Sequence, residues 1–131
     1  MQYLVKLCKR KALVFLISDF LDKNFEMILK AAAGKHDIVC VKITDPKEQK
    51  IPQNGIFSLY DAETGQIADV DFSSGKVRNE YYKNFKKHND YIDGIFKSAK
   101  TDVIDIYTDK PYIQELIKFF KAREAKFLKK Y

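Results

Sequence analysis

Three strand-like runs of this 131-residue chain end in a hydroxyl followed by a carboxylate: Ser18-Asp19, Thr44-Asp45 and Thr108-Asp109. Each pair follows an apolar run, so all three fall at one rim of a sheet. Oxygen-only donors at such a rim suit a hard cation such as Mg2+ better than Zn2+. Ser, Thr and Asp are also the residues that helix caps and turns require. The cap-and-turn role is favoured for Asp45 and for Thr108-Asp109. Asp19 stands evenly between the two roles, because the run before it, Ala12 to Ile17, is apolar throughout and reads as the most buried, most central strand.

Other chemistries find little support. The five glycines are scattered and form no phosphate-binding loop. Cys8 and Cys40 are far apart and not in a Cys-x-x-Cys pair, so both read as ordinary reduced cysteines. His36 and His88 have no ligand-spaced neighbours. His88 sits on a helical apolar stripe and reads as a packed side chain. His36 follows Gly34, which is expected to end a helix. Asp19-Phe20-Leu21-Asp22 is not the D-x-D of aspartyl-nucleophile phosphatases, and the acidic pair that a receiver domain carries upstream is missing. No Ser/His/Asp or Cys/His constellation assembles, so the chain is read as a non-enzyme. A Rossmann-like enzyme fragment or phosphoacceptor using Asp19 is the competing class.

Twenty-four basic and 18 acidic residues give 24 − 18 = +6. From Lys118 to the C-terminus six cations face one acid, Glu124, so most of this charge lies on one helix. A contact surface for nucleic acid or anionic lipid competes with a solvated helix end whose cations complement the macrodipole. The second is favoured, since no nucleic-acid motif accompanies the charge, and no nucleic-acid partner is expected. No apolar run approaches the ~20 residues that span a bilayer, and no signal peptide is recognisable. The expectation is a cytoplasmic chain without a membrane span.

The elements that must hold these residues read as α-β-α-β-hairpin-α-β-α. Tyr3, Leu4, Leu7 and Cys8 recur at helical spacing without a cap ahead of them, as at the end of a helix whose start lies upstream. Ala12 to Ile17 has no polar alternation, as in a parallel strand covered by helices on both faces. Phe25, Ile28, Leu29 and Ala32 form a helical stripe, and Asp37 to Ile43 a second apolar strand. That β-α-β order implies a right-handed crossover. Two short runs, 56–60 and 66–72, flank a Gly-containing loop as a hairpin. Val77, Tyr81, Phe85, His88, Ile92, Ile95, Phe96 and Ala99 predict a long helix. Asp102 to Tyr107 is the third parallel strand, and Thr108 is placed to cap the last helix. The fold class is α/β, a Rossmann-like doubly wound unit in three layers, with a hairpin insertion at about 55–72.

The segment from Leu13 to Asp22 resembles the C-terminal half of the bacterial "domain of unknown function 58" family. The similarity continues at Lys35 to Val39, Thr44 to Glu48, Ile51 to Gly55, Asp61 to Gly65, Ser73 to Arg78 and Thr108-Asp109, with Phe119-Phe120 beyond. The resemblance implies a von Willebrand factor type A-like fold and a metal-ion-dependent adhesion site. It places Asp19 as one metal ligand, with Ser18 beside it, but the D-x-S-x-S loop that supplies the other ligands is absent. One such ligand does not hold Mg2+ with useful affinity. The expectation is therefore a single partial domain over 1–131, N-terminally truncated, with no cofactor of its own. Mg2+ or another divalent cation would bind only in a full-length protein. The resemblance also implies a scaffold for protein partners, a MoxR-type AAA+ ATPase among them. In the type A fold the strand Leu13 to Ile17 would have lost its neighbour. The free edge is expected to drive formation of a homodimer or other oligomer.

Overall fold

The computed structural model describes residues 6, 8–22, 24–50, 52–61 and 64–129. Most of the expected N-terminal helix end, with Tyr3, Leu4 and Leu7, lies outside them, as do Ile51, Ala62, Glu63, Lys130 and Tyr131. The elements are β1 (Leu13–Ser18), α1 (Glu26–Lys35), β2 (Asp37–Thr44), α2 (Pro46–Gln49), β3 (Ile56–Tyr60), β4 (Ile67–Asp71), α3 (Gly75–Ala99), β5 (Asp102–Tyr107) and α4 (Tyr112–Leu128). β1, β2 and β5 form a parallel sheet in the order β1-β2-β5, while β3 and β4 make a separate antiparallel hairpin.

Side chains alternate across each strand and so sort into two faces. On one face Val14, Leu16, Ile38, Cys40 and Val103 pack against α1 and α3 through Leu29, Ala32, Ile92, Ile95 and Phe96. On the other, Val39, Val41, Ile43, Ile104 and Ile106 pack against Leu116 and Phe119 of α4. The molecule is thus mixed α/β with helices on both sides of a parallel sheet. Each such fully buried aliphatic side chain contributes about 1.5–3 kcal/mol. Leu29 and Val39 are both completely buried.

β1 departs from expectation. It is an edge strand, not the central one, and that central place belongs to β2, whose Val39 and Cys40 are fully buried. Among the described residues only one face of β1 is fully covered: Leu13 is 50% exposed and Ile17 66%. Its apolar outer face therefore does not report a helix of these described residues packed on both sides. α4 lies over β2 and β5 and reaches β1 at Phe120, whose ring stands 6.1 Å from that of Phe15.

Three local details differ from the sequence pattern. Gly34 does not end α1; the helix runs on to Lys35, and the His36 N–H closes it by donating to the Ala32 carbonyl. Residues 46–49 form one helical turn inside the stretch read as loop. Thr108 does not cap α4, because the residue before that helix is Pro111, in extended conformation. Thr108 instead donates its N–H to the Thr44 carbonyl, 3.1 Å away, extending the β2–β5 ladder.

Arg78 fixes the hairpin to α3. One guanidinium nitrogen donates to the carbonyls of Gln53, Phe72 and Ser73 at 3.0, 2.5 and 3.0 Å. Phe72 is buried between Phe57 and Tyr81, with centroids at 6.0 and 5.4 Å.

Candidate functional site

β1 leaves the sheet through two short side-chain turns. Ser18 Oγ accepts from the Phe20 N–H at 3.1 Å, and Asp19 Oδ1 from the Leu21 N–H at 3.3 Å. These turns hold Phe20 at φ +54° and drive its ring into the core. There it meets Phe25 and Phe96, with centroids at 5.3 and 4.9 Å. Ser18 and Asp19 thus both shape their own loop.

Asp19 also lines a cleft of about 30 Å³ at the carboxyl end of the sheet, with Lys42, Thr44, Glu48, His88 and Asn89. This is the rim at which ligands of open parallel sheets bind. Asp19 and Thr44 are brought together as their strand-end positions suggested. Asp45 is not part of that lining; its carboxylate caps α2 by accepting from the Lys47 N–H at 2.9 Å. Thr108 and Asp109 lie exposed in the turn after β5.

The sequence pattern did not single out Lys42. The register sets Ser18, Lys42 and Asp105 side by side on one face of the sheet, closing its apolar rows with a polar one. Lys42 Nζ donates to Asn89 Oδ1 at 3.0 Å and stands 4.0 Å from Asp93. Burial lifts the Asp105 carboxyl above its ordinary value. Lys42 pulls it back, and the negative Asp93 and Glu115 push it further up. The Cys40 thiol is also pushed up, by burial, with the Thr101 hydroxyl opposing.

Ser18 and Asp19 do not on their own fit Mg2+. Both oxygens named above accept from their own loop, and an ammonium shares the cleft. Among the described residues no group of three or more His, Cys, Asp or Glu could hold a metal ion. None of the described helices is long and apolar enough to cross a membrane.

At the opposite end of the sheet, Arg123 of α4 reaches both Asp37 and Asp102, at the starts of β2 and β5. Charge spacing alone placed Arg123 in a solvated basic tail. Its planar fork instead ties α4 to the sheet.

The outer side of β1 is the other distinctive surface. Leu13, Phe15 and Ile17 are exposed, Phe15 beside Phe120 of α4, and Phe120 is itself nearly half exposed. Leu13 pairs in register with Asp37, whose N–H donates to the Ala12 carbonyl at 2.8 Å. N–H and C=O of one residue point the same way in a strand, and successive residues alternate. Residues 12, 14, 16 and 18 therefore turn their backbone groups toward β2, and Leu13, Phe15 and Ile17 turn theirs outward.

A model of the family described as "Protein of unknown function DUF58" matches residues 1–91. An uncharacterized protein of Mycobacterium avium is 27% identical over 116 residues, covering 88% of this chain and 68% of its own length. Uncharacterized proteins of Mycobacterium bovis and Mycobacterium tuberculosis are 22% identical over 116 residues, which is 88% of this chain but 36% of theirs. The chain thus spans little more than a third of those two relatives. No solved structure matches it.

Proposed function

Since this chain belongs to the DUF58 family of proteins of unknown function, we propose that it is a non-enzymatic protein-interaction module that engages another polypeptide through β1. The observation that carries this reading is the outer side of β1, where exposed apolar side chains and outward-turned backbone groups lie together. A strand edge of this kind recognises an added strand by main-chain hydrogen bonds and sorts it by side-chain contacts. The unit is read as the C-terminal half of a von Willebrand factor type A-like domain. Asp19, with Ser18 beside it, would lend one side of a metal site whose other donors come from a longer polypeptide. A MoxR-type AAA+ ATPase is the partner class that the family resemblance implies. Titration of such a purified ATPase with this chain tests the reading. Binding that Phe15→Lys abolishes without unfolding the protein supports it; equal binding by the variant overturns it.

One observation favours a second reading. Asp19, Lys42 and Thr44 line the same small cleft, the three residue types that an aspartyl phosphoacceptor places around its phosphoryl group. Incubation with acetyl phosphate would then label Asp19, and Asp19→Asn would remove the label. No label supports the non-enzymatic reading.

A further inference from the structure

We propose that β1 pairs antiparallel with β1 of a second copy of this chain, about a two-fold axis through Phe15, with Lys11 of each copy facing Asp19 of the other. This names the partner for the interaction surface proposed above and rests on that reading.

The backbone selects the register. Residues opposed in an antiparallel pair share a face, and hydrogen-bonded pairs need outward-turned groups on both strands. The outward groups belong to Leu13, Phe15 and Ile17, as the Asp37-to-Ala12 hydrogen bond fixes. Setting Phe15 opposite Phe15 also sets Leu13 opposite Ile17, twice over, and forms about six hydrogen bonds from three fully used pairs. A slip of one residue would face outward groups with groups already turned to β2.

Side chains agree with that register. The paired residues are those whose apolar side chains the monomer leaves exposed. Continued past the strand ends, the same alignment would set Lys11, before β1, opposite Asp19, in the turn after it, at both ends of the pairing. Both residues are exposed. A slip of two residues would instead place the Lys11 ammonium against Ile17 or Leu21. Opposite charges across an antiparallel pair stabilise it, and a cation against an aliphatic chain does not.

The two edges of the sheet differ in the same sense. β5, at the far edge, carries Asp102 and Asp105, the charges that ordinarily keep an edge from pairing. Between Leu13 and Ile17, β1 has no charge, no proline and no glycine.

Sedimentation equilibrium on the whole chain tests the proposal, with Phe15→Lys and Phe15→Glu as variants. Phe15 meets its own copy at the axis, so each variant sets like charges opposite one another there, on Cα atoms roughly 5.5 Å apart. The wild type should dimerise. Each variant alone should dimerise at least about tenfold more weakly, and an equimolar mixture should recover as a heterodimer. Lys11→Asp should weaken the dimer, and adding Asp19→Lys should restore it. Thermal melts separate these effects from loss of fold. A wild type that stays monomeric overturns the proposal, and so does a dimer that both Phe15 variants leave intact. A monomer that still binds an ATPase through Phe15 overturns self-pairing alone and leaves the interaction reading standing.

Discussion

Phe15 of β1 lies against Phe120 of α4 with ring centroids 6.1 Å apart, yet the two residues stay 39% and 47% exposed. The pair marks where the cover of the sheet stops. Buried phenylalanines lose about 3–5 kcal/mol on truncation to alanine. Phe15→Ala and Phe120→Ala should each lose about 1 kcal/mol in the dilute protein, since only part of each ring leaves water. The double variant should lose about 0.5 kcal/mol less than the two single losses added. Urea titrations of the four proteins check this. Core-sized single losses would mean that something else covers the rings.

Phe20 combines a buried ring with a left-handed backbone. Phe20→Ala should lose about 3–5 kcal/mol, because the ring fills the space between Phe25 and Phe96. Glycine accepts φ +54° without the strain of about 1 kcal/mol that a Cβ meets there. Phe20→Gly should therefore be at least as stable as Phe20→Ala, against the usual order. Thermal melts that rank alanine clearly above glycine would contradict the turn geometry.

Asp105 gives the protein a pH dependence of definite sign. Its carboxyl holds a proton more tightly in the folded chain than in the unfolded one, chiefly through burial. The folded state therefore binds more protons in the window from the ordinary aspartate value up to the raised one. Stability contributed by this group falls as pH rises through that window. Asp105→Asn should flatten that part of the profile. Lys42→Met removes the attraction that opposes the shift, so the Asp105 carboxyl, followed by NMR, should titrate still higher. A downward move would contradict the Lys42–Asp105 coupling.

How much of this was legible in the sequence differs from element to element. β2 and the buried stripe of α3 follow from their apolar spacing, because both are packed as that spacing implies. The place of β1 was not legible from periodicity. An apolar run reads the same whether a helix of its own chain or another polypeptide covers its second face. Family resemblance, not spacing, pointed to the free edge. At the candidate site, Asp19 and Thr44 could be brought to one rim from strand ends alone. Lys42 beside Asp105 could not, because their meeting depends on the β2–β5 register. Arg123 was hidden for a related reason: the four cations of α4 look alike until the fold brings Asp37 and Asp102 beside one of them.

Residue-by-residue amide hydrogen exchange along β1 tests the central claim most directly. In dilute protein, Val14 and Leu16, whose amides turn toward β2, should exchange slowly. Phe15 and Ile17, turned outward, should exchange fast and become protected as concentration rises or a partner strand is added. Slow exchange at Phe15 and Ile17 at every dilution would contradict the account, for the edge of β1 would then not be free.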